Sequence, residues 1–472
     1  MKITRHLPAV AAASLAALPG CTVGPRYQQP PIVSGAGDPW VSVSGMASVE
    51  QPPVEWWTLY RDPQLDRFIH EALIANTDLR VAEANLSAAR AIFEGVKGGR
   101  YPRTEAQAEA IRGRDAITDE ILEIGGRPPQ TIWLFDALLD VSYELDMFGR
   151  VRRSVEAARA DEQSIAAARD AVKITVAAET TRAYAQICAL GEQIAVARHS
   201  FDVVRREAEI TARRHEAGAS SEFDVVRAEG LVAQVQAGIP SLEGQRRAAL
   251  FQLAAVLGRA PAHAPTEILS CTSPPRLTAL IPVGDGGALL KRRPDIRQAE
   301  RRLASATARI GVATADLYPQ ITLKGLLGGV SSEFSELTTD RGLTWGIGPS
   351  VTWVFPNQAV PRARIRQTRA NAAASLEQFD GTVLQALKET EQALSSYASE
   401  LDRRQALSEA QQKAQRAFEM AHDQFLAGSL SNLDLLSTET SLVAADAAAA
   451  TSDAALIQDQ IGVFKALGGG WE

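Results

Sequence analysis

The residues that could do chemistry are few and scattered. Six histidines show no pair at metal-ligand spacing, and the chain has no Cys-x-x-Cys, phosphate-cradling glycine loop or nucleophile elbow. Four methionines argue further against a soft-metal path. Asp140, Glu144 and Asp146 precede a Phe148-Gly149-Arg150 turn. On a strand their even spacing puts all three on one face, as a water-filled lumen permits and as a solvated edge would too. Two Ser-x-x-Asp pairs, Ser221 with Asp224 and Ser431 with Asp434, have capping-box spacing. There each hydroxyl satisfies a free N–H at a helix start, a structural role. An enzyme has no residues here to stand on.

Cys21 is different. Lys2 and Arg5 precede an apolar stretch at 7–18 and then Leu18-Pro19-Gly20-Cys21. The stretch is too short to span a bilayer but fits a signal-peptide core. Residues 1–20 resemble a lipoprotein signal, which makes Cys21 the acylated first residue of the mature chain; an ordinary secretory signal with an incidental cysteine is the alternative. That covalent lipid is the only cofactor expected. Thr22 after the cysteine points, by analogy with lipoproteins, to the outer membrane. Cys188 and Cys271, one in a helical pattern and one in a Pro-rich linker, carry no spacing signature and are expected to be free, packed thiols. No later segment reaches 18 consecutive apolar residues, so a membrane crossing must be made by strands. With a net charge of −7 there is no basic field for nucleic acid.

The elements that position these residues come from an internal repeat. Asn76-Thr77-Asp78-Leu79-Arg80 recurs 217 positions on as Arg293-Pro294-Asp295-Ile296-Arg297, and Tyr101-Pro102 recurs as Tyr318-Pro319. Later the offset is 210: Glu179-Thr180 matches Glu389-Thr390, Gly218 matches Gly428 and Gly258 matches Gly468. The chain therefore reads as a signal peptide (1–20), an extended N-terminal segment (21–59), repeat 1 (60–260), a Pro-rich linker (261–282) and repeat 2 (283–470). Each repeat predicts a first helix (about 64–98 and 286–316) that stops at Tyr-Pro. Two extended segments follow in each half, at 103–113 with 131–146 and at 319–330 with 343–355. Hairpin loops are expected at 112–130 and 328–342.

Then come uninterrupted helical stretches at 150–216 and 361–426, roughly 100 Å long at 1.5 Å per residue. Each breaks at a glycine and is followed by a return helix of about 35 residues. Such rods are too long for a globular domain and must pack as coiled coils. The stretches 101–148 and 318–355, which contain the extended segments, hold 10 of 27 aromatics, about twice their share. That suits the interfacial girdle of a membrane barrel, or the core of a small soluble β-subdomain. Four strands cannot close a membrane barrel, so several chains must share one.

Several motifs together carry a family resemblance. They are Cys21-Thr22-Val23-Gly24-Pro25-Arg26-Tyr27, Trp56-Trp57 with Asp62-Pro63, and Ser142-Tyr143-Glu144-Leu145-Asp146-Met147-Phe148-Gly149-Arg150. Arg292-Arg293-Pro294-Asp295-Ile296, Ile310-Gly311-Val312-Ala313 and Leu433-Asp434-Leu435-Leu436 complete the set. Nearly end to end, the chain resembles the TolC/OprM-type outer-membrane efflux channels, especially their NodT-like lipoprotein branch.

The resemblance implies a mainly α fold with a membrane β-barrel: a homotrimer with 12 strands in outer-membrane lipid, continued by a 12-helix periplasmic α-barrel. It also implies a passive exit duct for drugs or other small molecules, working with a periplasmic adaptor (membrane fusion) protein and an inner-membrane RND pump. The tip at Gly428, Ser429, Leu430, Ser431, Asn432 and Asp434 would form the inner constriction. The tip at Gly218, Ser220, Ser221 and Asp224 would lie outside it, and both would meet the adaptor. Leu430 and Ser431 suggest a neutral gate. A channel for type I protein secretion, or a periplasmic adaptor lipoprotein, are the rival readings.

Overall fold

The computed structural model describes residues 22–31, 33–42, 47–48, 50–114, 124–126, 128, 131–277 and 280–469. The signal peptide and Cys21 lie outside them. In chain order the elements are β1 (Ala47–Ser48), α1 (Pro63–Ala75), α2 (Thr77–Gly98), β2 (Arg103–Gly113), β3 (Ile132–Leu145), α3 (Arg150–Glu216) and α4 (Glu222–Val256). The second half continues with β4 (Ile281–Pro282), α5 (Gly286–Arg292), α6 (Pro294–Ala315), β5 (Gln320–Ser331), β6 (Leu343–Thr352), α7 (Ala359–Leu426) and α8 (Asn432–Ala466). The order helix, helix, strand, strand, long helix, return helix occurs twice. The chain packs as two units. The first draws on residues up to 30, 87–164 and 299–378, and the second on 31–86, 165–298 and the chain from 379.

The long helices form where composition favours them: α3 and α7 run 67 and 68 residues through Ala-, Glu- and Arg-rich sequence with high helix propensity. The expected single first helix is two helices in each half. Asn76 breaks the first pair: its extended backbone leaves the helix, and its Oδ1 accepts from the N–H groups of Asp78 and Leu79 as the cap of α2. In the second half Pro294 opens α6 and forces the preceding Arg293 into an extended conformation (φ −68°, ψ 120°).

In the first unit four antiparallel strands form one sheet in the order β2-β3-β5-β6. The central pairing joins the two halves, with Tyr143 opposite Leu323 and Leu139 opposite Leu327. β5 extends to Ser331 and a 3-10 turn at Phe334–Glu336 follows, so the loop expected from 328 begins after 331. Asp146 does not share the strand face with Asp140 and Glu144. β3 ends at Leu145, and the Asp146 carboxylate accepts from the N–H groups of Val151 and Arg152, capping the start of α3. Glu144 pairs with Arg150 instead, Nε to Oε1 at 2.8 Å.

The second unit holds the main apolar core. Trp56 stacks on Phe464 with ring centroids 4.8 Å apart, beside buried Phe68, Tyr184, Ile187 and Leu253. Asp62 caps α1 through one carboxylate oxygen, and the other accepts the Tyr184 hydroxyl at 2.6 Å. Cys188 and Cys271 are not free thiols. They form a disulfide with Cα atoms 5.0 Å apart. The Pro-rich linker folds back as a 3-10 turn at Thr266–Ser270. Arg246 fastens it by donating to the carbonyls of Leu269 and Ile187. Gly191 lets it approach, since a Cβ there would lie 2.3 Å from the Cys271 carbonyl oxygen.

Candidate channel wall and helical tips

The sheet has two chemically opposite faces, set by register. Odd-numbered residues of β3, β5 and β6 share one face: Phe135, Leu139, Val141 and Tyr143; Ile321, Leu323 and Leu327; Leu343, Trp345, Ile347 and Val351. The even-numbered residues of β2 join them, with Ala106 opposite Leu139 and Ala108 opposite Ala137. Among the described residues this apolar face lacks cover from its own chain, for Trp345 is 71% and Ile347 75% exposed. The opposite face carries Glu105, Glu109, Asp136, Asp140, Glu144, Lys324, Thr344 and Ser350, interspersed with Leu134, Leu138, Leu326 and Val330. Glu105 lies opposite Asp140, and Glu109 opposite Asp136. Like charges placed so are tolerable where water screens them. The pattern, apolar outside and polar inside with a period of two, is that of a strand wall between lipid and water.

The tips lie in the second unit. Both long helices end in a Schellman turn on a glycine with positive φ, Gly218 at 75° and Gly428 at 76°. The N–H of Ala219 reaches the carbonyl of Arg214, and that of Ser429 the carbonyl of Gln424. Ser221 and Asp224 form a reciprocal capping box. Ser431 caps α8 by accepting from the N–H of Asp434 at 3.2 Å. The Ser220 carbonyl meets His215 Nδ1 at 2.9 Å, and the Ser429 hydroxyl donates to Gln424 at 3.1 Å. Every polar residue singled out at the tips thus has a local structural partner.

The structure also brings the two tips together, which the sequence did not disclose. Thr211 donates to Asn432 Oδ1 at 3.3 Å, and Asn432 Nδ2 is buried without a hydrogen-bond partner. The Ser221 hydroxyl and backbone hold the Asp224 carboxyl below the usual range despite some burial. Arg214 crosses from the first hairpin to the Phe425 carbonyl at 2.8 Å, its guanidinium over the Phe425 ring. Leu430 is half-buried against the small cluster of Phe425, Ala421 and Leu435. Phe223, Val226, Leu426 and Leu433 stay exposed around the tips. A group missed from sequence, buried Glu207 and Glu439 with half-buried His422, lies behind them; its one signal is an acid at 439 in the apolar stripe of Leu435, Leu436 and Leu442.

Among the described residues no group of His, Cys, Asp and Glu could hold a metal ion, and no helix is long and apolar enough to cross a membrane.

Comparison with known proteins agrees with this geometry. The family model "Outer membrane efflux protein" matches residues 68–259 and 287–469. The pyoverdine export outer membrane protein OpmQ of Pseudomonas aeruginosa is 30% identical over 462 residues, covering 94% of this chain and 93% of that protein. Nodulation protein T of Rhizobium leguminosarum bv. trifolii is 29% identical over 90% of this chain and 89% of its own. Among solved structures, the outer-membrane channel OprN superposes with a TM-score of 0.88 at 32% identity, over 96% of this chain and all of that one.

Proposed function

The chain belongs to the outer membrane efflux protein family, and from that premise we propose that three copies build one duct whose helical tips form its periplasmic gate. It is an outer-membrane efflux channel and not an enzyme. The observation that carries a barrel shared between copies is the four-stranded sheet, apolar on one face and largely acidic on the other, with β2 and β6 as its edges among the described residues; two copies would give eight strands and three twelve, and the family resemblance selects three. An open edge within lipid leaves a row of unsatisfied N–H and C=O groups, so it must meet another chain. Three copies give twelve strands outside and twelve helical strands of α-barrel within the periplasm.

The duct is passive. Its energy comes from an inner-membrane pump reached through a periplasmic adaptor, and its cargo is small molecules. Gly218, Ser220, Ser221 and Asp224 with Gly428, Ser429, Leu430, Ser431, Asn432 and Asp434 form rigid, capped tips. Phe223, Val226, Leu426 and Leu433 give those tips exposed apolar surface for the adaptor to seat on. Cys21 carries the lipid that holds the N-terminus at the membrane. The test is the native mass of protein extracted in mild detergent from separated outer membranes. A species of three times 50.6 kDa is expected; a monomer released by osmotic shock would remove the shared barrel. Cys21→Ser should lose acyl mass without losing the trimer.

A further inference from the structure

Behind the tips, α3 and α8 bury two carboxyls, Glu207 and Glu439, beside the half-buried His422 of α7. Glu207 on α3 is 5% exposed and Glu439 on α8 is 0% exposed. His422 on α7 places Nδ1 3.1 Å from Glu207 Oε1, an ion-pair distance without hydrogen-bond alignment. Neither carboxylate oxygen of Glu439 has a hydrogen-bond partner, nor has Glu207 Oε2. Each acid occupies a place in an otherwise packed stripe: Val204, Glu207 and Thr211 on α3, and Leu435, Leu436, Glu439 and Leu442 on α8.

An ionised carboxylate without hydrogen bonds is costly in such a site, whereas the protonated acid is tolerable. The groups facing the pair are known from each helix. α3 supplies Arg206, whose charge acts on Glu207, and α7 supplies His422. α4 places Asp224 at the tip itself. No cation is aimed at Glu439; the charge acting on it is that of Glu207.

We infer that Glu439, with Glu207 and His422, is a proton-operated latch that keeps the three helices packed behind the tips and loosens them when Glu439 ionises. Burial, then the Glu207 charge, pushes the Glu439 carboxyl up from 4.5 to about 8. Burial also raises Glu207, although His422 opposes it. With the folded value above the unfolded one, the latch is fully held below pH 4.5 and is lost as pH rises to about 8. As a control of tip opening, the latch rests on the gate reading above; as a device that loosens packing, it does not.

The experiment is hydrogen exchange on the full chain in detergent, expressed as protection factors so that intrinsic base catalysis is removed. Protection around 435–442 should fall about tenfold per pH unit between pH 6 and 8, then level off. Glu439→Gln, which mimics the protonated acid, should stay protected throughout. Glu229→Gln, at the repeat-equivalent exposed position, should behave as wild type. A flat wild-type profile, or a pH-dependent Glu439→Gln, overturns the latch. Bilayer conductance separates the two ideas: loosening by exchange with no change in conductance keeps the latch and removes the gate reading.

Discussion

Asn76 and Arg293 occupy equivalent places in the two halves and do one job with different chemistry. Asn76 Nδ2 donates to the carbonyl of Val256 at 2.9 Å, and Arg293 Nη1 donates to the carbonyl of Ala466, also at 2.9 Å. Val256 and Ala466 are themselves related by the 210-residue offset, so each side chain ties a helix break to the end of its own return helix. Asn76→Ala removes a cap and strands a buried carbonyl, and should cost about 2 kcal/mol in thermal or denaturant unfolding. Asn76→Asp keeps the cap but not the donor, so it should fall between; equality with alanine would place the whole effect in the lost donor, and equality with wild type would place it in the cap.

Arg293 also pairs with Asp295 and Glu389. Burial raises the Glu389 carboxyl, but hydrogen bonds from Arg293 and Gln385 outweigh it and leave it below 4.5. Glu389 therefore stabilises above about pH 4.5 and loses that contribution as pH falls through its lowered value. Arg293→Met should flatten the acid limb of a stability-against-pH curve; an unchanged limb would mean that the pair contributes nothing. The repeat itself is visible in sequence through identical residues, but this shared function is not, because an amide and a guanidinium do not align by type.

At the scale of elements, the two tips differ in a way that can be measured. The Ser221 box is reciprocal, for the Ser221 N–H also donates to Asp224 Oδ2 at 3.1 Å, whereas at α8 the contacts run between the Ser431 hydroxyl and Asp434 alone. Ser221→Ala and Ser431→Ala should each destabilise their helix start by about 1 kcal/mol. Asn432→Ala should instead remove the Thr211 contact that joins the tips, seen as faster exchange on both hairpins rather than one. The disulfide acts on a longer element, since it closes an 83-residue separation. Cys188→Ser should lower stability by about 2–4 kcal/mol, and non-reducing peptide mapping should recover the Cys188–Cys271 pair.

Helices, strands and glycine breaks were legible because each has a local period or a local breaker. The disulfide was not, because linker composition cannot tell a joint that swings free from one that Arg246 and Gly191 draw onto α3. Asp146 was misread for a related reason. A carboxylate two positions beyond Glu144 fits a strand face and a helix cap equally well, and only the end of β3 at Leu145 decides between them.

For the whole molecule, alternation could suggest that strands meet lipid, but only register shows that one face is continuously apolar. Leu139, Leu327 and Trp345 line up across three strands because β3 pairs with β5, a contact between halves that no local pattern encodes. That alignment makes the sidedness testable with two residues three positions apart on β6. Ile347 belongs to the apolar face and Ser350 to the polar one. An arginine at 347 would stand in hydrocarbon, at a cost of about 2–4 kcal/mol near the bilayer midplane and less towards its edges. The cost is multiplied by the number of copies in the assembly. Ile347→Arg should therefore deplete the protein from outer membranes and reduce the trimer band in unheated gels. Ser350→Arg should assemble normally, and instead shift ion preference in bilayer conductance towards anions, because it adds positive charge to the face that carries Glu105, Asp140 and Glu144. If both variants inserted equally well, the apolar face would be packing against protein rather than lipid, and the sheet would belong to a soluble subdomain.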